Sequence, residues 1–176
     1  MSARSDASRS TRLRGFAPVL GESPRILILG SMPSAASIAA QAYYAHPRNR
    51  FWPVMGAVFG FDAGAAYAQR LEALRRAGVA LWDTIESCER TGSLDAAILR
   101  PTPNAVAALL EDHPTISRVV LNGAKSADVW RRFGAPALSP QRLAGLQVEA
   151  CPSTSPANAR WRLEDLVPVW RAALLG

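Results

Sequence analysis

The chain is poor in cysteine and has no long apolar run. Its two cysteines, Cys88 and Cys151, are too few to hold an iron–sulfur cluster, and without CxxC spacing they do not form a zinc ribbon. No apolar run approaches the roughly 18 residues of a membrane-spanning helix. The polar, basic N-terminus lacks the apolar segment of a secretory signal. We therefore expect a reduced, cytoplasmic compartment and neither a metal nor another cofactor.

Three widespread enzyme motifs are also absent. The sequence contains no GxGxxG, no GxxxxGK[ST] and no GxSxG, and its two histidines do not have the spacing of metal ligands. These absences disfavour dinucleotide redox chemistry, phosphoryl transfer and serine hydrolysis. An α/β enzyme that acts on a small nucleotide stays open as an alternative, although its usual glycine-rich phosphate loop is missing.

The charge balance favours an anionic partner. The net charge is +6, and 20 basic residues include a single lysine, Lys125. A guanidinium group binds phosphate through two parallel hydrogen bonds, so an arginine-rich composition favours binding to nucleic acid. A soluble enzyme with arginine-biased composition would show the same balance. Because arginines are dense near the N-terminus, we expect residues 1–15 to form a basic tail and residues 16–176 a single domain.

Apolar runs and helical patterns alternate along the rest of the chain. Strands are predicted at 25–29, 79–82, 117–121 and 146–151, and the main helices at 51–58, 65–77, 104–112, 124–133 and 163–174. Residues 83–99 are expected to be irregular, and Asn104 is expected to cap a helix. The alternation predicts a three-layer α/β/α sandwich around a central, mostly parallel four-stranded sheet. Ligands of such sheets bind at the carboxyl ends of the strands.

Unusual residues follow the predicted strands. The segments are Gly30–Ser34, Tyr43–Trp52, Leu81–Arg90 and Pro152–Asn158. They could form a pocket that binds a flat base and a loop that binds a phosphate backbone. Each also has a purely structural interpretation: a strand-to-helix turn, core anchors at Phe51 and Trp52, and a surface loop. Asp83 could orient a water or a substrate group, or it could cap nearby backbone N–H groups.

In this order, and with Asn122-Gly123-Ala124-Lys125 between the last two, the segments resemble the uracil-DNA glycosylase superfamily. The most similar branch is that of the hypoxanthine-DNA (deoxyinosine) glycosylases, whose strings are GSMPS, YYAHPRNxFW, LWD, SC.R.GSLD, NGAK and PSTSPAN. The resemblance covers residues 25–170. It implies a monomeric DNA repair enzyme that extrudes a deaminated base, first of all hypoxanthine, and hydrolyses its N-glycosidic bond. A uracil/thymine mismatch-specific glycosylase and a non-catalytic damaged-DNA-binding module are the alternatives.

The resemblance also implies roles for single residues. The family's first motif corresponds to Gly30–Ser34 and its second motif to Pro152–Pro156. Met32 stands where many members have, in the first motif, the Asp or Asn that handles the attacking water, and Cys151 stands where the second motif often begins with His. Asn49 is implied as the catalytic amide instead. Tyr44 is implied to stack on the base, in a pocket with Ser31, Met32, Phe51 and Asp83. The residues implied to bind DNA are Pro152, Ser153, Thr154, Ser155, Asn158 and Arg160, the last two being candidates for entering the duplex.

A covalent mechanism needs an amine nucleophile. Lys125 follows a different strand from the first motif, so we expect it to lie outside the chemistry. The sequence therefore predicts a monofunctional glycosylase that leaves the abasic strand uncut.

Overall fold

Short apolar runs form a parallel sheet at the centre of the protein. The structure is a computed structural model and describes residues 12–176. The strands are β1 (Leu13–Arg14), β2 (Ile26–Gly30), β3 (Val79–Asp83), β4 (Ile85–Glu89), β5 (Leu99–Pro103), β6 (Arg118–Asn122) and β7 (Gln147–Cys151). The helices are α1 (Ala35–Ala40), α2 (Phe51–Phe59), α3 (Tyr67–Arg76), α4 (Val106–Asp112), α5 (Ala124–Val129), α6 (Pro140–Ala144) and α7 (Leu163–Leu175). The sheet order β3-β2-β6-β7 is parallel throughout.

Alternate side chains of these strands supply two separate cores, one on each face of the sheet. Ile28 and Leu81 pack with Phe51 and Trp170 from α2 and α7 on one face. On the other face, the next residues along the strands pack against α4 and the turn after α5: Leu27, Leu29, Val119 and Leu121 meet Val106, Leu110 and Trp130. The three-layer α/β/α arrangement expected from the sequence is confirmed.

A second, antiparallel sheet corrects the expectation that residues 83–99 are irregular. Its strand order is β1-β4-β5, and β4 begins two residues after β3 ends. Ile85, Ser87 and Cys88 are buried in β4, but only two of them are apolar, so the sequence has no clear strand period there. One partner of β4, β1, lies far away in the sequence, and the other, β5, follows only after an irregular loop with a short 3-10 helix, so local patterns did not indicate the pairing.

The N-terminal boundary and one helix start also differ from expectation. Residues 12–15 take part in the fold: Arg12 donates from Nε to Ser87 Oγ at 3.0 Å, and Leu13 pairs with Cys88. The rest of the expected tail, residues 1–11, lies outside the described residues. Asn104 does not cap α4; its Nδ2 donates to the backbone oxygen of Asp83 at 2.9 Å. Within residues 12–176, no helix is long and apolar enough to cross a membrane.

Candidate active site

A cavity of about 620 Å³ opens at the carboxyl ends of the parallel strands. Residues directly after β2, β3, β6 and β7 converge there because parallel strands all end at the same edge of the sheet. The residues that line the cavity include Ser31, Met32, Tyr44, Asn49, Asp83, Asn122, Lys125, Ser153, Thr154, Ser155 and Asn158, together with Ser93–Ala96 from the loop between β4 and β5. Its volume is within the usual range for sites that bind small organic molecules.

Asp83 is a buried carboxyl group among the lining residues. It is the last residue of β3, and its Oδ2 is buried without a hydrogen-bond partner in the described part of the chain. A Cβ on Gly30 would lie 2.3 Å from Asp83 Oδ1, so only glycine at the end of β2 leaves room for this carboxyl group. Burial raises the pKa of Asp83 to about 7; the Asp95 carboxylate adds to the rise, and the Arg90 guanidinium opposes it. A neutral carboxyl group at this position can both donate and accept a hydrogen bond.

Tyr44 is held from two sides. Its ring stacks on Phe51 with centroids 3.7 Å apart and planes 15° from parallel. Its hydroxyl accepts a hydrogen bond from Asn122 Nδ2 at 3.4 Å, and its backbone has a left-handed φ of 56°. A positive φ at a tyrosine is uncommon and is typical of functional sites. Phe51 itself is fully buried behind Tyr44 and does not line the cavity, so its contact with a ligand would be indirect.

Asn49 makes a hydrogen bond at the start of α2 and also lines the cavity. Its Oδ1 accepts a hydrogen bond of 2.9 Å from the backbone N–H of Phe51, the first residue of α2. That N–H has no partner inside the helix, so the bond fixes which end of the amide is oxygen. A carbonyl oxygen has two acceptor positions. One is used here, and the second can accept from a water molecule.

Asn122 connects the strand ends to the loop of residues 152–158. Its Oδ1 accepts from Thr154 N at 3.0 Å, and its Nδ2 donates to Thr154 Oγ1 at 3.1 Å. Thr154 is fully buried, so its role is to hold the loop rather than to meet solvent. Gly123 follows with a φ of 93°, and a Cβ there would lie 2.9 Å from Ser153 Cβ. The loop is therefore packed tightly against the end of β6.

Arg50 holds the same loop from the other side. Its guanidinium donates to the backbone carbonyls of Ser155, Trp161 and Asn158, the last at 3.0 Å, and its backbone N–H donates to the Thr154 carbonyl at 3.0 Å. All its acceptors are neutral carbonyls, so this guanidinium has a structural task. Because Asn49 is its neighbour in the chain, one peptide segment positions both the catalytic candidate and the loop.

We expect Arg50→Met to loosen the loop. The carbonyls that the guanidinium binds would lose a charged donor, which we expect to lower the free energy of unfolding by about 2 kcal/mol. Binding to DNA should weaken as well. Arg48→Met is the matched control, because Arg48 is exposed and its loss removes the same charge. Denaturant unfolding and DNA binding at fixed salt measure both variants; equal effects would show that only charge matters.

The structure brings most of the residues expected from the sequence to one cavity and leaves three outside its lining. Phe51 lies behind Tyr44, Pro152 accepts from Trp170 Nε1 through its backbone oxygen at 3.1 Å, and Arg160 is exposed. Lys125, which was expected to take no part in the chemistry, does line the cavity, since β6 ends beside β2.

The structural importance of Asn122 and Arg50 was not predicted from the sequence, and no role was predicted for Leu94 or Asp95. The only sequence signal for Asn122 was its position directly after an apolar strand. Metal ligation has no support in the part of the chain that the structure describes, where no group of three or more His, Cys, Asp or Glu side chains could hold an ion. Burial raises the pKa of the Cys151 thiol to about 12, so it is no ready nucleophile.

Comparison with known proteins agrees with this site. The family model described as "Uracil DNA glycosylase superfamily" matches residues 17–174. The chain belongs to the uracil-DNA glycosylase superfamily. It is 37% identical over 148 residues to a hypoxanthine DNA glycosylase of Methanosarcina barkeri, a match that covers 84% of this chain and 89% of that protein. A hypoxanthine DNA glycosylase of Methanosarcina acetivorans is 36% identical over 149 residues, with the same coverage.

A solved structure also matches closely. The NMR solution structure of a candidate uracil DNA glycosylase from Methanosarcina acetivorans gives a TM-score of 0.75 at 33% identity, and covers 93% of this chain and 99% of that one. Members of the superfamily are DNA glycosylases, which hydrolyse the N-glycosyl bond between a base and its sugar. This protein is accordingly a DNA glycosylase and acts in DNA repair.

Proposed function

We propose that this glycosylase removes hypoxanthine from deoxyinosine in DNA. The base is extruded from the duplex into the cavity, and water cleaves its N-glycosidic bond. The observation that carries the proposal is Asn49, whose Oδ1 is fixed by the Phe51 N–H while the residue lines the cavity. The relatives named as hypoxanthine DNA glycosylases support the choice of base.

The base would be read at the buried end of the cavity by Asp83. Hypoxanthine carries an N–H donor directly beside a carbonyl acceptor. A neutral carboxyl group matches that edge with two hydrogen bonds, one accepted and one donated. A polar partner on the base would matter here, because the buried Asp83 Oδ2 has no hydrogen-bond partner among residues 12–176. Tyr44 would lie against one face of the purine, backed by Phe51, and base–aromatic stacking contributes about 1–3 kcal/mol.

Asn49 would hold the attacking water. An amide is a poor base, so it positions the water through its second acceptor site rather than removing a proton early. Positioning suffices if the sugar develops cationic character before the water attacks. Met32, buried in an apolar cluster with Ile85 and Val129, has no polar group for this task.

The departing base gains negative charge as the bond breaks. Main-chain N–H groups near Ser31 and Met32 are the candidates for stabilising that charge, as preorganised donors do in other enzymes. A neutral Asp83 supports the same step, whereas a charged one would repel the base.

Ser153 and Ser155 would hold the DNA backbone around the extruded nucleotide. Both line the cavity, in a loop fixed by Arg50 and Asn122. Phosphate contacts of this kind position the strand without reading its sequence. We also propose that the enzyme works as a monomer on DNA inside the cell.

The enzyme is proposed to be monofunctional even though Lys125 lines the cavity. Hydrolysis through Asn49 needs no amine, and the product would be an uncut abasic strand. We expect no covalent complex when the reaction is treated with borohydride, which traps a Schiff base between lysine and sugar. Trapping that disappears in Lys125→Met would instead assign a nucleophile to Lys125.

Single-turnover excision on matched oligonucleotides tests the function. The strands carry hypoxanthine, uracil or xanthine, each single-stranded and in duplex, or thymine opposite guanine in duplex only, and cleavage is scored with and without alkali. We expect the hypoxanthine strand to be cut after alkali only. Excision restricted to uracil or thymine would place the enzyme with the mismatch-specific glycosylases. Tight binding without excision of any base would support a binding module.

Salt dependence separates the DNA enzyme from an enzyme of small nucleotides. Each phosphate that arginine neutralises releases counterions, so affinity for DNA should fall steeply between 50 and 200 mM salt. A small-nucleotide enzyme would show a much weaker dependence.

A further inference from the structure

Three carboxyl groups of the described residues line the cavity, and they differ in how their charge is balanced. Burial raises the pKa of Asp83 to about 7, so this group is largely neutral below that pH. Asp128 forms ion pairs with two nearby arginines. Asp95 forms no ion pair within residues 12–176, and its Oδ1 accepts a hydrogen bond of 2.6 Å from the neutral hydroxyl of Ser31. Asp95 therefore contributes an unbalanced negative charge to the cavity wall.

A negative charge at this place opposes the departure of a base. When the bond between C1′ of the sugar and the base breaks, its electron pair goes to the base. The water oxygen then bonds to C1′ and releases a proton. The base is thus anionic as it leaves, and Ser31, which lies on its side of the cavity in the proposed mechanism, is bonded to the Asp95 carboxylate. Two negative charges in a site of low dielectric constant repel each other strongly.

Arg90, directly after β4, is a buried cation that has no partner of opposite charge in the described part of the chain. It is 8% exposed, and it takes part in none of the ion pairs there. Its Nε donates to the carbonyl of Gly92 at 3.0 Å and its Nη2 to the carbonyl of Pro33, whereas its Nη1 is buried without a partner among the same residues. Burying an unpaired charge is costly, and a neutral donor could hold a carbonyl. These two bonds alone do not explain a guanidinium here.

The two bonds place the charge of Arg90 directly behind the cavity wall. Pro33 and Gly92 belong to the segments that also contribute Ser31–Ser34 and Ser93–Ala96 to the lining, whereas Arg90 itself does not line the cavity. Its charge still acts on a group inside. Burial and the Asp95 carboxylate raise the pKa of Asp83, and the Arg90 guanidinium lowers it. Arg90 and Asp95 therefore oppose each other at the same place.

We propose that Arg90 is a positioning residue that balances the negative charge of Asp95 while the base departs as an anion. Through the Pro33 carbonyl it holds the segment with Ser31 and Met32, and its charge offsets the carboxylate to which Ser31 is bonded. The inference rests on the proposed hydrolysis. It does not depend on which base leaves, since every base departs with the electron pair of its bond.

The other titratable groups nearby do not supply this charge. Burial raises the pKa of Tyr43 and Tyr44 beside Asp83, and that of Cys88 beside Arg90, so all three are neutral near pH 7. Lys125 is the cation among the described lining residues, but it belongs to α5 and forms no ion pair with the Asp95 carboxylate.

Arg90→Gln, with and without Asp95→Asn, tests the balance of charge. We expect Arg90→Gln to lower single-turnover excision at pH 6, with saturating enzyme, by about tenfold or more. Asp95→Asn keeps an acceptor for the Ser31 hydroxyl. In the double variant the rate should therefore return to within about threefold of that of Asp95→Asn alone. Arg14→Gln, which removes the same charge from a side chain that is 74% exposed, should leave the rate unchanged.

Additive losses in the double variant would overturn the proposal. An arginine that only holds two loops together would cost the same rate whether or not Asp95 is charged, so removing the carboxylate could not compensate for its loss. Compensation therefore distinguishes charge balance from a structural role.

Arg90→Lys separates the charge from the hydrogen bonds. An ammonium group keeps the charge but lacks the planar fork that reaches both carbonyls. We expect this variant to retain about a third or more of the wild-type rate. It also keeps the proposal testable if circular dichroism shows that Arg90→Gln does not fold. A loss of about tenfold or more in a folded Arg90→Lys would refute charge balance and assign the guanidinium a structural task.

The titration of Asp83 in the free protein tests the same charges without any reaction. Carboxyl ¹³C NMR should show its midpoint at a higher pH in Arg90→Gln and at a lower pH in Asp95→Asn, with no change in Arg14→Gln. If the wild type excises no hypoxanthine, the proposed function fails, while these shifts and the rates on the base that is removed still decide the role of Arg90. An unmoved midpoint in Arg90→Gln would refute the inference alone.

Discussion

Asn49→Ala should lower single-turnover excision of hypoxanthine by on the order of 10²-fold or more, the scale seen when one preorganised group is removed. The variant loses the acceptor that holds the attacking water. It also loses the hydrogen bond that the Phe51 N–H donates to Oδ1. The first turn of α2 should therefore be less stable, which we expect to lower the free energy of unfolding by about 1 kcal/mol. Rates measured well below the unfolding transition separate the two effects.

Asn49→Asp supplies the control for Asn49→Ala. A carboxylate accepts the same Phe51 N–H and can still accept from water, so stability should be maintained and more of the rate retained than with alanine. Near-wild-type excision by the alanine variant, with saturating enzyme, would remove Asn49 from the mechanism. Equal losses in both variants would mean that the amide nitrogen, not the oxygen, is what the reaction needs.

Excision by the wild type should decline as the pH rises through about 7, and Asp83→Asn should abolish that decline. Burial and the Asp95 carboxylate raise the pKa of Asp83 to about 7, so the neutral form that pairs with the base disappears above that pH. The rate at pH 8.5 should be about 30-fold below the rate at pH 6, because the neutral fraction falls tenfold per pH unit above the pKa. Asparagine keeps one donor and one acceptor and does not titrate.

The titration of Asp83 should also make the free energy of unfolding depend on pH. The folded state holds a proton on Asp83 between about pH 4 and 7 where the unfolded chain does not, so unfolding free energy should fall across that window and stay low above it. Asp83→Asn should therefore stabilise the protein at pH 8, by at most about 4 kcal/mol. Asp112→Asn, at an exposed carboxyl group, should alter neither profile. A pH-independent wild-type rate would contradict the proposed role of Asp83.

The sequence was sufficient to predict the parallel sheet, and the resemblance pointed to Asn49, which the structure places in the lining of the cavity. Ile26–Leu29 is a β-branched apolar run that ends at glycine, and such runs identify buried strands directly. The antiparallel sheet was missed because β4 has few apolar residues and finds its partners in residues 13–14 and 99–103. Local patterns carry no information on the pairing with residues 13–14, which is distant in the sequence, and the proline-containing strand at 99–103 has no clear strand period either.

The contacts that shape the site were equally hidden. Arg50 binds carbonyls that lie 105 to 111 residues later, and Asn122 meets Thr154 only because β6 and β7 are neighbours in the sheet. An arginine that binds backbone carbonyls has no sequence signature, since its acceptors are the same in every residue type. The sequence motifs shared with the family indicate that these segments form one site. They do not indicate which side chain makes a hydrogen bond to which backbone group.

The pairing of β1 with β4 sets the order in which the enzyme can be completed during its synthesis. Arg12 reaches Ser87 and Thr102, which are 75 and 90 residues further along the chain. At about 5–20 residues per second, the ribosome needs several seconds to supply those partners. Until then β1 has no strand to pair with. A chain that has lost residues 13–14 would leave β4 with an open edge, which invites pairing with other chains.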